Sequence, residues 1–131
     1  MEFAFPWPYS QGEWLAWASA LVTIFIGLVA MLTPRLRLTA LGRSDVAQHP
    51  EALAESRAQL GGFYVGIGIA AILFAQPWVY MALGFGWAVA AIGRILSALF
   101  DRALTLRNFG RLLVSAAMAA LPLVYAFGII P

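Results

Sequence analysis

From Trp14 to Leu32 the chain carries no charged side chain. A helix of that length crosses the hydrocarbon core of a bilayer. Three more apolar stretches follow, at about 58–75, 78–100 and 110–129, the first being about 14–33. Lipid offers no hydrogen bonds to backbone groups, so segments like these fold as helices. The expected fold class is therefore all-α: a polytopic transmembrane four-helix bundle, up-down-up-down, forming one membrane domain over residues 1–131.

Composition agrees. Hydrophobic residues make up 63% of the chain and charged residues 11%, outside the range of a soluble domain. Every basic residue is arginine, and there is no cysteine, which excludes disulfides, thiolate-held iron–sulfur clusters and thiol nucleophiles. Arginines gathered at span ends serve topology, so nucleic acid is not an expected partner.

Ahead of the first span, Phe3, Phe5, Trp7 and Tyr9 are interleaved with Pro6 and Pro8. Prolines at this density oppose a helix. The rings suit either the lipid headgroup layer or docking against a larger membrane protein. No basic start precedes the apolar run, so no cleaved signal peptide is expected.

Small residues mark the faces expected to pack. In the first span Ala16, Ala20, Thr23, Gly27 and Ala30 recur at intervals of four and three. Gly62, Gly66 and Ala70 make a GxxxG match extended by a turn, and Gly86, Ala90, Gly93 and Ser97 form a third stripe. Gly62, Gly66, Gly86 and Gly93 are the expected close-approach positions. Gly66-Ile67-Gly68-Ile69-Ala70-Ala71 also fits a dinucleotide-binding pattern, but that pattern needs a preceding strand and none is in sight. Thr33-Pro34 ends the first span, and Pro122 is expected to bend the last.

Arg35, Arg37, Arg43 and Arg57 fall in or beside the connection at 34–57, which gains a helical extension from about Pro50. Arg102, Arg107 and Arg111 fall around the third connection. The N-terminal segment and the Gln76-Pro77 turn hold no basic side chain. The positive-inside rule then places both connections in the cytoplasm and both termini on the periplasmic side of a bacterial inner membrane.

One polar cluster stands out: Glu55, Arg57, Arg94, Ser97 and Asp101. Arg94 lies inside a span, where an arginine pairs, snorkels or binds a ligand. It is expected to pair with Glu55 or Asp101, snorkelling and binding of an anionic lipid or ligand being the alternatives. No catalytic residue, cofactor or metal is expected. His49 sits alone before Pro50, and no carboxylate lies deep in a span.

The pattern Arg57-x-x-x-Gly61-Gly62-x-x-x-Gly66-x-Gly68, followed by Gly93-Arg94-x-x-Ser97-x-x-x-Asp101, resembles a family of small bacterial four-helix membrane proteins of unknown function. That family is loosely similar in layout to the DoxX-like membrane proteins. The resemblance covers roughly Trp14 to Gly128 and implies the fold and topology above, with no activity. Members often carry a glutamate in the fourth span, where this chain has Ser115 and alanines. The expected role is a non-catalytic accessory or assembly subunit of a larger membrane complex, surrounded by membrane lipids. A lipid- or small-ligand-binding protein using a polar site around Arg94 is the alternative.

Overall fold

The computed structural model describes residues 6–34, 49–102 and 105–131. Its elements are α1 (Gln11–Leu32), α2 (Pro50–Glu55), a π-helical segment π1 (Ser56–Gly62), α3 (Phe63–Phe74), α4 (Pro77–Phe100) and α5 (Leu106–Ala126). No strand occurs among the described residues. Since α2, π1 and α3 join end to end, four helical stretches result: Gln11–Leu32, Pro50–Phe74, Pro77–Phe100 and Leu106–Ala126. Each is long and apolar enough to cross a membrane. The chain is all-α and multi-pass, as its apolar runs imply. Phe25, Phe63, Val89 and Leu99 are exposed on these helices, where lipid tails would cover them.

Local chemistry sets the helix ends. Ser10 precedes α1 and its hydroxyl accepts the Glu13 N–H at 3.2 Å, while the Glu13 carboxylate accepts the Tyr9 N–H at 3.1 Å. This is a variant of the Ser-x-x-Glu capping box, in which the carboxylate reaches the N–H of Tyr9, one residue before that of the N-cap Ser10. α4 opens with Pro77 in its first turn, where the missing N–H costs nothing. Ala75 precedes it at φ 52, a left-handed backbone that turns the chain out of α3. Thr105 caps α5 by accepting the Asn108 N–H at 3.1 Å.

The residues group into two compact units: one made of Met1–Ser19 and Leu73–Pro131, the other of Ala20–Ile72. In the second unit the later turns of α1 run antiparallel to π1 and α3. Ser56 bonds to Ala30, Gly61 backs onto Met31, and Gly68 backs onto Ile24 and Ala20. The α1 stripe packs as its spacing predicts, with Ala20, Thr23, Gly27 and Ala30 all buried here. A side-chain carbon added to Gly27 would stand 2.8 Å from the Gly61 carbonyl oxygen and the Val65 nitrogen.

The partner stripe differs from expectation. Gly62 meets only Arg57 and the tip of Met31 at ordinary contact distance, and Gly66 has no atom within 4 Å of its open side. The glycines that carry the close approach are Gly61 and Gly68. A carbon on Gly61 would lie 2.7 Å from the Met31 backbone nitrogen, and one on Gly68 would lie 2.9 Å from the Ala20 oxygen. The π turns explain part of this. Residues five apart are about 140° apart on an α-helix, but widening to i→i+5 bonds brings them much closer to one face. Ser56 and Gly61 thereby share one buried face. Gly68, seven residues on, continues that face, whereas Gly66 lies about 160° round from Gly68.

In the first unit α4 packs antiparallel to α5, and the opening turns of α1 join them. Tyr80, Leu83, Gly84 and Trp87 form the buried face of α4, and Ser115, Met118, Ala119 and Pro122 that of α5. Tyr80 and Tyr125 meet edge to face at 5.7 Å. The expected glycines again face elsewhere, since Gly86 and Gly93 have nothing within 4 Å. Gly86 stands about 160° round the helix from Gly84. It is Gly84 that admits the Leu123 side chain, whose Cγ would be 2.5 Å from an added carbon.

Candidate functional site

Polar side chains in a chain this apolar are few, so each one's partner is informative. Ser56 is buried and donates to the Ala30 carbonyl at 3.0 Å. Arg57, exposed, donates from Nη1 to the Met31 carbonyl at 2.8 Å. These carbonyls belong to the last turn of α1 and have no donor within their own helix. Thr33 serves a third, its N–H and hydroxyl both reaching the Val29 carbonyl. Arg57 therefore acts as a cap, its positive charge set at the negative end of α1. Glu55, two residues before Arg57, is exposed.

Arg94 lies seven residues beyond Trp87 and so continues the buried face of α4. Its Nη1 donates to the Asn108 Oδ1 at 3.4 Å, and the Asn108 Nδ2 returns a hydrogen bond to the Arg94 carbonyl at 3.2 Å. No ion pair joins Arg94 to Asp101 among the described residues. Asp101 instead accepts from the Ser97 hydroxyl at 3.0 Å, one turn back on the same helix. The physical reason lies in α5. Thr105 fixes Asn108 in the first turn, and an amide both gives and accepts, so it matches the arginine head and the α4 backbone together. Arg94 Nε is buried with no partner.

Beside this pair is a wide-mouthed cavity of about 490 Å³, lined by Ile95, Ala98 and Leu99 from α4 and by Thr105, Leu106, Asn108, Phe109 and Leu112 from α5 and its cap, with Ile95, Leu99, Leu106 and Phe109 themselves exposed. Its volume falls in the range of small-ligand sites. The lining is apolar except at Thr105 and Asn108. The sequence offers no periodicity that marks these residues as cavity-forming, because the space depends on how two helices pack against each other.

At the other end of this unit stands a buried carboxylate that the sequence reading passes over. Glu13 is buried, as is Tyr80, which meets Tyr125 edge to face. The signal that reveals it is the Ser10-Gln11-Gly12-Glu13 capping pattern. Gly12 donates its N–H to the Pro131 carbonyl at 3.2 Å, and any side chain at Gly12 would collide with the Ile130 carbonyl.

Of the aromatic residues singled out at the N-terminus, Phe3 and Phe5 lie outside the described residues, as do Arg35, Arg37 and Arg43. Trp7 rests against Trp17 at 6.2 Å, and Tyr9 is 93% exposed. Trp17 in turn meets Trp14 edge to face at 5.5 Å, with its indole Nε1 buried and without a partner.

Compared with known proteins, residues 12–126 match a family described as a domain of unknown function, DUF4345. No curated protein and no solved structure matches.

Proposed function

The chain belongs to this family of unknown function, and we propose that it is a small non-catalytic inner-membrane protein that packs, as an accessory or assembly subunit, against a larger membrane complex. The observation that supports this is the way the N-terminal aromatic segment is held. Pro8 is buried, the Tyr9 N–H is tied to Glu13 and Trp7 rests on Trp17, yet Tyr9 is 93% and Trp7 58% exposed. Rings presented on a restrained backbone lose little freedom on docking, and aromatic residues concentrate in the centres of protein interfaces.

The arginine distribution supports an orientation with both termini periplasmic. Single cysteines at Ser10, Ser44, Gln76 and Thr105 test it: external labelling is expected only at Ser10 and Gln76. Changing Trp7 and Tyr9 together to alanine tests the docking role. The expected result is release of a stoichiometric membrane partner while the chain stays inserted and folded. Loss of insertion would assign the rings to headgroup anchoring, and an unchanged complex would remove the docking reading.

A second reading, a protein that binds a lipid or small ligand, is favoured by the cavity beside the Arg94–Asn108 pair.

A further inference from the structure

The cavity between α4 and α5 has the gradient of a lipid. Its lining begins at Thr105 and Leu106, where α5 starts, and ends at Leu112 and Ile95. From Leu106 to Leu112 is about 9 Å of helix, so the apolar wall runs inward from the end of the spans. Arg102 and Arg107, both exposed, flank the outer end in sequence. The first turn of α5 contains no acidic residue. Thr105 takes the N–H groups of Asn108 and Phe109 through its hydroxyl and carbonyl. Among the described residues, no acceptor partners the N–H groups of Leu106 and Arg107, at the positive end of a helix.

We propose that this cavity seats one acyl chain of an anionic membrane lipid, with the headgroup at the start of α5 against Arg102 and Arg107. Ile95, Leu99, Phe109 and Leu112 supply the surface for the chain. The Arg94–Asn108 pair joins the two helices beside the cavity and so holds its walls in register. The charge at the mouth decides between lipids: two arginines and a helix N-terminus favour a headgroup of net negative charge over a zwitterionic one. The inference rests on the ligand-binding reading of this cavity and names its ligand.

The test uses the full chain, stripped of lipid by detergent washing and then given phosphatidylglycerol, phosphatidylcholine or inorganic phosphate. Bound mass is read by native mass spectrometry and stability by the thermal midpoint. Phosphatidylglycerol is expected to bind one per chain and to raise the midpoint by several degrees, with phosphatidylcholine weaker and phosphate without effect. Arg107→Gln, at an exposed position, is expected to weaken phosphatidylglycerol about fivefold. Ala98→Phe, which fills the cavity, is expected to abolish retention. If that variant does not fold, Arg102→Gln and Arg107→Gln decide alone. Equal binding of both lipids, or full affinity in the two arginine variants, overturns the anionic-lipid assignment while leaving a ligand cavity standing. A shift reproduced by phosphate alone, or unchanged lipid binding in folded Ala98→Phe, shows that no chain is seated there and removes both readings.

Discussion

The Ser19 hydroxyl donates to the carbonyl oxygen of Met118 at 2.8 Å, with Ser19 fully buried. That carbonyl would ordinarily accept the N–H of residue 122, but Pro122 has none. A serine on α1 thus supplies the bond that a proline withholds from α5.

The consequence is a coupling between Ser19 and Pro122. Ser19→Ala should destabilise the protein by about 1 kcal/mol, toward the low end of the range for a buried group left unpaired, because membrane hydrogen bonds are modest. In a Pro122→Ala background, where the backbone regains its donor, the same change should cost clearly less. Reversible unfolding in detergent of the four proteins measures the interaction, and strict additivity would rule the coupling out.

The glycines divide into two groups. Gly61→Ala and Gly68→Ala push a carbon against neighbouring backbone, and each should cost about 1–3 kcal/mol as overpacking. Gly66→Ala, Gly86→Ala and Gly93→Ala meet open space and should be neutral or stabilising, since alanine is the better helix former by about 1 kcal/mol. Thermal midpoints of the five variants check the division. A second copy or a partner on the Gly86–Gly93 face would show itself as destabilisation or dissociation in the latter group.

Capping at the end of α1 also has a measurable size. Ser56→Ala leaves the Ala30 carbonyl without this donor and should cost about 1 kcal/mol. Arg57→Gln removes the charge from an exposed cap and should cost only about 0.3–1 kcal/mol. Arg57→Gln should lose its effect at high salt, and Ser56→Ala should not.

For Arg94, the decisive variant is at its partner. Asn108→Ala removes the acceptor of an arginine head and should destabilise by about 1.5–3 kcal/mol. Arg94→Leu combined with Asn108→Leu should be less harmful than Asn108→Ala alone, since no charge is then left without its acceptor. Asp101→Asn, at an exposed position bonded to Ser97, should stay within about 0.5 kcal/mol of the parent. A large loss in Asp101→Asn would return the carboxylate to the role of counter-ion.

The capping box of α1 predicts a local effect. Glu13→Ala should cost about 0.5–2 kcal/mol and free the Tyr9 N–H, seen as faster amide exchange at Tyr9 and Ser10. Glu13→Gln, which keeps an acceptor, should recover most of the loss.

What the sequence by itself determined is what depends on composition and local spacing. Apolar runs of bilayer length determined the all-α class and the four spans, because lipid permits no other use of such segments. The four-and-three spacing of Ala16, Ala20, Thr23, Gly27 and Ala30 marked a face, and all five residues are buried. The tertiary structure decided which of several equally plausible glycine faces meets a neighbour. Gly61 and Gly68 compete in the same helix with Gly62 and Gly66, and a π-helical segment that no pattern of period 3.6 announces brings Gly61 onto the face of Ser56. It also decided the partners of the arginines. Opposite charge nominates Asp101 for Arg94 from the sequence, but a guanidinium takes whichever acceptors the packed backbone brings within reach. These are a helix-end carbonyl for Arg57 and the amide of Asn108 for Arg94. Spacing along one chain carries the period of its own helix; it carries no information about the rotation of the next.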